Sequence, residues 1–254
     1  MAITSIYTDH KERINTAVLL LAAVVLIGYY HNFYIIWATL GLIYVVAFRE
    51  ANVLFGAKQN SNLYFAIALW TLALIYPKPD DLFLMAALGV AGMYVYNPQK
   101  DIRPLLGFLY PTAGMLFILT LYADYGINAI FWMIMIIAGT DVGAYVVGKS
   151  IGKSKFSPTS PNKTLEGVVG GIVIGALFGL VVGMNIVDGV TALIVSMAAA
   201  VVSVFGDLFE SFLKRRAGVK DSGNFLPGHG RALDRMDGYL FGAVIMVVLL
   251  RGLA

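Results

Sequence analysis

Nine long apolar runs, separated by short polar stretches, set the pattern of this chain. They lie near 14–30, 32–48, 62–77, 82–96, 104–122, 126–147, 167–185, 189–206 and 238–253. Crossing a hydrocarbon core of about 30 Å takes roughly 20 helical residues, or about 17 where the flanks help. The pattern therefore predicts an all-α, polytopic integral membrane bundle of about nine transmembrane helices. The run at 82–96 is the shortest, and only His31 and Asn32 separate the first two runs, which predicts a tight helical hairpin there. In "GVVGGIVIGALFG", residues 167–179, the spacing of small residues suits close helix contact.

The polar positions between the runs orient the bundle. Nine spans leave ten flanking segments, and from the N-terminus these hold 2, 0, 2, 1, 2, 0, 4, 0, 6 and 1 Lys or Arg. Of the 18 basic residues, 16 fall on the N-terminal side. Because cytoplasmic loops are enriched in Lys and Arg, the alternation predicts the N-terminus inside and the C-terminus outside, and puts 220–238 on the cytoplasmic face. A wrong number of spans would scramble it. The polar lead "MAITSIYTDHKER" has no small-residue cleavage site after it and reads as part of a retained signal-anchor. The chain divides into residues 1–125, about five apolar helices, and 126–254, which hold the polar groups that chemistry would need.

Composition narrows the chemistry. A chain that is 59% hydrophobic and 13% charged, with a mean hydropathy of +0.79, carries more apolar surface than a soluble fold needs. The absence of Cys removes disulfides, thiolate nucleophiles and Cys-ligated metals. With only three His, a metal would be held by carboxylate oxygens, which suits a hard cation such as Mg²⁺.

Acids recur at one level of the expected bundle. Asp141 lies inside the sixth run, where a carboxylate costs about 2.5–3.5 kcal/mol unless it faces a cavity, a cation or a partner; a structural hydrogen bond to a neighbouring helix is the plainer alternative. In "VVSVFGDLFESFLKRRAGVKD" no Gly or Pro falls between Asp207 and Arg216, so the helix is expected to run past the membrane surface. Asp207 and Ser211 share a face that Lys214 or Arg215 continues, while Glu210 is expected to point to solvent. Asp234 and Asp237, three apart, project from one face at the start of the last helix, where acids also complement its positive end. Before them, at 221–231, lies "DSGNFLPGHGR", a Gly-rich loop able to bring backbone N–H groups to an anion. The loop "GKSIGKSKFSPTSPNKTLEG" carries Lys149, Lys153, Lys155 and Lys163. Topology explains its lysine content but not its "SPNKTLEG". Acids and cations without a nucleophilic Cys or a Ser–His–acid pattern fit metal-assisted phosphoryl or nucleotidyl transfer.

Residues 206–237, "GDLFESFLKRRAGVKDSGNFLPGHGRALDRMD", closely resemble the signature of the phosphatidate cytidylyltransferases, or CDP-diacylglycerol synthases. Ser211, Lys214, Arg215, Lys220, Asp221, Pro227, Gly228, His229, Gly230, Asp234, Arg235 and Asp237 meet its pattern. "DVGAYVVGKSIGKSKFSPTSPNKTLEG", 141–167, resembles a second block of that family. The resemblance covers about 141–238. It implies a membrane enzyme that takes CTP and phosphatidic acid to CDP-diacylglycerol and pyrophosphate with Mg²⁺, with room for a second cation. Carried over by position, Asp207, Asp234 and Asp237 look like metal ligands and Asp141 an additional one. Lys163, Lys214, Arg215, Lys220 and His229 look like phosphate contacts, and Ser211 and Asp221 belong to the motif without a settled role. The chain departs from the family at Arg231, where a second Gly usually follows the His. The implied setting is a bacterial inner membrane with the site facing the cytoplasm and no nucleic-acid partner; a homodimer is allowed. Two other readings remain open at this level: a CTP-dependent polyprenol or phytol kinase, and a transporter whose acids line a pathway.

Overall fold

The computed structural model describes residues 28–30, 32–58, 60–99, 101–219 and 232–253. Among them the regular structure is helical apart from one isolated antiparallel bridge between Lys155 and Thr164. The helices are α1 (Phe33–Leu54), α2 (Leu63–Leu72), α3 (Asp81–Tyr96), α4 (Arg103–Ile151), α5 (Leu165–Gly183), α6 (Gly189–Arg216) and α7 (Leu233–Leu253). Five of these, α1, α4, α5, α6 and α7, are long and apolar enough to cross a membrane; α2 and α3 are shorter.

α4 is two helices joined at Gly126, whose φ of 74° and ψ of −171° interrupt its 49 residues. Only Gly reaches this backbone region without steric penalty. The chain reverses there. Gly114, before the break, lies against Leu240 of α7, and Ile137, after it, lies against Gly238 and Gly242. The runs at 104–122 and 126–147 are thus an antiparallel pair, as their separation in the sequence predicts. Each later run likewise has its helix, but three bounds differ clearly from expectation: α1 continues to Leu54, α2 stops at Leu72 rather than 77, and α7 begins at Leu233 rather than 238. The first run lies outside the described residues except for its last three, Gly28–Tyr30, which are helical. The expected His31 hairpin and signal-anchor also fall outside.

The tightest helix pair is built from small residues. Gly167, Gly171, Gly175, Gly179 and Gly183 of α5 recur every four positions and descend antiparallel along Gly148, Ala144, Thr140, Ile136 and Trp132 of α4. A methyl group on Gly175 would sit 2.7 Å from the Ile136 carbonyl oxygen, and one on Gly171 2.6 Å from that of Thr140. Lipid tails are as apolar as the helices, so such close contact, with its dispersion gain, holds the helices together.

Buried polar ties add direction. Trp132 donates to Ser196 Oγ at 2.9 Å, linking α4 to α6. Thr112 spends its hydroxyl proton on the Phe108 carbonyl, so at 2.6 Å it accepts from Tyr44 of α1. Trp37 and Trp70 donate to each other's carbonyl oxygens at 3.0 and 3.2 Å, joining α1 to α2. With no competing water at this depth, each such bond is costly to leave unmade.

One end of the bundle is closed by ions. Arg251 of α7 reaches Asp80 at 2.5 Å and Asp124 at 3.0 Å, Lys78 reaches Asp124 at 3.1 Å, and Thr120 donates to Asp80 at 3.0 Å. The 78–81 and 123–125 connections therefore meet the C-terminal helix at one end, as the alternation of basic residues predicts. Burial pushes the Asp80 carboxyl up, but its bonds to Arg251 and Thr120 outweigh this and hold it below the usual carboxylate range. Its contribution to stability is thus complete above about pH 4 and lost as pH falls through that lowered value. Arg251→Ala is expected to destabilise the protein by about 2 kcal/mol at pH 7, because it strands a buried carboxylate. Thermal unfolding in detergent should show a deficit that narrows below about pH 4.

Candidate active site

α6 continues beyond its apolar stretch to Arg216, with Lys214, Arg215 and Arg216 in its last turn where cations complement the carbonyl end. Its positions 203, 207, 210 and 214 fall alternately four, three and four apart, so they share one stripe. That stripe faces the start of α7. Ser203, Asp207, Glu210 and Lys214 line a cavity of about 160 Å³ together with Asp234, Asp237 and Gly238 of α7 and Asp141 of α4.

Close backbone approach makes the juxtaposition. Gly206 lies against the Asp237 carbonyl group, and a methyl there would meet its oxygen and sit 3.2 Å from Gly238 Cα. Behind this contact Tyr110 of α4 packs edge-on against Phe209 at 5.0 Å and Phe241 at 6.3 Å between ring centroids. α4, α6 and α7 thus share an aromatic wedge beneath the acids.

The loop before α5 delivers a further cation. Phe156 donates its backbone N–H to the Lys163 carbonyl at 2.9 Å, and Leu165 to that of Ser154 at 2.9 Å. The Glu166 carboxylate accepts from the backbone N–H of Lys153 at 3.1 Å and of Ser154 at 3.2 Å, while Thr164 caps α5 through Gly167. This gives "SPNKTLEG" a structural reason: its Thr and Glu close the loop on itself. Lys163 is left projecting to Asp207, with which it forms an ion pair.

Five carboxylates on the cavity wall against Lys163 and Lys214 leave an excess of negative charge among the described residues. Lys214 is shared, 3.3 Å from Asp234 and 3.4 Å from Glu210. Glu210 is 1% exposed, and its Oε1 is buried without a hydrogen-bond partner. Excess charge, hard oxygen donors and an orphaned carboxylate oxygen fit a hard divalent cation. Among the described residues no three His, Cys, Asp or Glu converge as a complete ligand set. Mg²⁺ is commonly held by one or two carboxylates with substrate phosphates completing its shell, so the donor set suits a site that substrate completes.

Most expected residues meet here, and some do not. Asp141, Asp207, Lys214, Asp234 and Asp237 line the cavity, and Lys163 joins through Asp207. Ser211 stands beside it, its hydroxyl 3.4 Å from Asp207 Oδ1. Arg215 is exposed and outside the cavity lining. Lys220, Asp221 and His229, with Arg231, lie outside the described residues. The expectation that Glu210 points to solvent is corrected. α7 covers that side of α6, so the inward stripe runs through 210 and 214 rather than 211 and 215. The spacing alone contained this stripe. Glu50 of α1 carried no comparable signal, yet it accepts from the backbone N–H of Ala232 at 3.2 Å and of Leu233 at 2.8 Å.

Comparison with known proteins bears on the same residues. A family model described as the cytidylyltransferase family matches residues 11–253. A phosphatidate cytidylyltransferase of Helicobacter pylori is 43% identical over 243 residues, covering 94% of this chain and 91% of its own. Its counterpart in Thermotoga maritima is 32% identical over 267 residues, covering 96% and 97%. That of Bacillus subtilis is 48% identical over 132 residues, about half of each chain.

Gly206→Ala is expected to force α7 off α6 at the point where Asp207 and Asp237 meet, at a cost of about 1–3 kcal/mol. Thermal unfolding in detergent checks it against Gly89→Ala. A methyl at Gly89 would meet nothing within 4 Å, so helix propensity alone should leave that variant as stable as the parent or slightly more so.

Proposed function

Because the chain belongs to the cytidylyltransferase family, we propose that it is a phosphatidate cytidylyltransferase, transferring CMP from CTP to phosphatidic acid. The observation that carries this reading is the meeting, in one cavity, of Asp207, Lys214, Asp234 and Asp237 from the motif on α6 and α7, with Lys163 added by the other block.

In this reading an oxygen of the lipid phosphate attacks the α-phosphorus of CTP. The bond from that phosphorus to the oxygen bridging it to the β-phosphorus breaks, and pyrophosphate leaves. A lipid phosphate is already close to a dianion at neutral pH, so the site needs no strong general base. His229 then serves as a phosphate contact or loop organiser. Asp207, Asp234 and Asp237 would hold Mg²⁺, with Asp141 and Glu210 near enough to share it or a second cation; when bound, Mg²⁺ supplies positive charge to the phosphate oxygens and the departing pyrophosphate. Lys163 and Lys214, which rest on carboxylates, exchange them for phosphate oxygens when the nucleotide arrives, and Arg215 and Lys220 extend that cationic rim. Ser211 and Asp221 support the motif around them.

The placement of the acids supports an interfacial reaction. They lie where α6 leaves its apolar stretch and α7 enters its own, which suits one substrate drawn from water and one from lipid. The relatives are bacterial, and the basic residues gather at the site's end of the bundle. We therefore place the enzyme in the inner membrane with this site facing the cytoplasm.

Detergent-purified protein given CTP and phosphatidic acid should yield CDP-diacylglycerol and one pyrophosphate per turnover. Release of CDP with phosphorylation of a lipid alcohol would replace this reading with a kinase. EDTA should abolish turnover and Mg²⁺ restore it. Asp234→Ala or Asp237→Ala should each lower kcat/KM by roughly a thousandfold, about 4 kcal/mol of transition-state stabilisation, in protein that still folds. Turnover like that of the parent in either variant would remove the metal-holding role.

A further inference from the structure

Among the described residues, the segment that starts α7 supplies no side-chain cap of its own. Its first helical residue is Leu233, preceded by Ala232, and Ala offers no side-chain acceptor for the N–H groups that a helix start leaves unpaired. Glu50 fills that gap from 182 residues away. Its Oε1 accepts from Ala232 N at 3.2 Å and its Oε2 from Leu233 N at 2.8 Å. The residue is 8% exposed and lies in the first half of the chain. A carboxylate so placed also complements the positive end of the helix.

We infer that Glu50 is a positioning residue for the acids of α7, acting as the N-cap that their own segment lacks. Asp234 lies in the first turn, directly above the two N–H groups that Glu50 holds, and Asp237 lies one turn on. Leu233, just before Asp234, is fully buried, so the cap and the apolar anchor together set where the helix begins and how it is rotated. Without the cap the first turn unwinds first, because its leading N–H groups lose their acceptor. Asp234 then loses its place beside Lys214, from which it now lies 3.3 Å. α1 is thereby part of the site's machinery, although it contributes nothing to the cavity wall.

The inference rests on the proposed function only in assigning a cation to these acids, and its test separates the two. In metal-free, full-length protein in detergent, Glu50→Gln should speed hydrogen exchange at the amides of residues 232–236 about tenfold. The amide side chain offers one acceptor oxygen in place of two and no charge. The same variant should bind Mn²⁺, used as the paramagnetic probe of the divalent site, about tenfold more weakly. Adding Ala232→Ser, whose hydroxyl can accept from the N–H of Asp234 or Arg235, should restore Mn²⁺ affinity and slow exchange at 234–236. Should Glu50→Gln fail to accumulate in the membrane, Glu50→Asp, too short to reach both N–H groups, serves in the same comparison. Unchanged exchange at 232–236, Mn²⁺ affinity equal to the parent despite faster exchange, or failure of Ala232→Ser to restore that affinity or to slow exchange at 234–236 would overturn the inference. A parent protein that makes no CDP-lipid would sink the functional reading alone, since exchange and Mn²⁺ binding are measured without turnover.

Discussion

Carboxylates repel one another, and five of them line one cavity of about 160 Å³ where α4, α6 and α7 converge. Two unit charges about 5 Å apart interact by roughly 3 kcal/mol at the effective dielectric near a protein surface, and by more in a drier setting. The arrangement is tolerable only because cations are held among the acids, Lys163 on Asp207 and Lys214 between Glu210 and Asp234. The same crowding that strains the fold makes the cavity attractive to a hard cation and to the phosphate groups that accompany one. Every other feature of the bundle bears on how these acids are kept together.

What keeps them together is mostly apolar and mostly remote. The glycine stripe of α5 draws that helix onto the second half of α4, and the bond from Trp132 to Ser196 draws α6 onto the same half. Gly206 lets α6 touch the backbone of α7 at Asp237. The first half of α4 closes the back of the site through Tyr110 and its contacts with Phe209 and Phe241. α1 reaches the same place through Glu50. At the far end, Arg251 ties the last turn of α7 to Asp80 and Asp124. α7 is therefore held at both ends by charged groups from the first half of the chain, and its acids sit on a rod whose axial position is set twice.

How much of this could be read from the chain follows from the range of the interactions. Runs of apolar residues report their own helices, so the helices from 32–48 onward, the reversal between 122 and 126, and the close-contact stripe at 167–179 were legible. So was the level at which Asp141, Asp207, Asp234 and Asp237 meet, because topology and motif spacing are both local counts. The rotation of α6 was not. Both the 203/207/210/214 stripe and the 207/211/215 stripe are helical, and only the partner covering one of them decides which faces inward. Glu210 was expected at solvent, and Lys214 and Arg215 were left as alternatives, for that reason. Glu50 was invisible for a stronger one: it falls just beyond the apolar run at 32–48, and nothing local shows that its partner is a backbone 182 residues away.

The lysines connect the resting structure to the proposed reaction. An ammonium group bound to a carboxylate in a crowded site satisfies both charges, and its flexible stem lets it leave when a better anion arrives. A nucleotide triphosphate entering with its counter-cation brings both charges at once. Under the proposed reaction the carboxylates would hold that cation, leaving the ammonium groups free to take phosphate oxygens. Some positive charge thus stays among the acids throughout the exchange, so no stage requires a bare cluster of them. Lys163 rides on a loop closed by its own Thr164 and Glu166, whereas Lys214 stands on the rigid end of α6. The two cations therefore differ in freedom to move. Under the proposed reaction both exchange carboxylate for phosphate oxygens, Lys163 from the loop and Lys214 from the helix end.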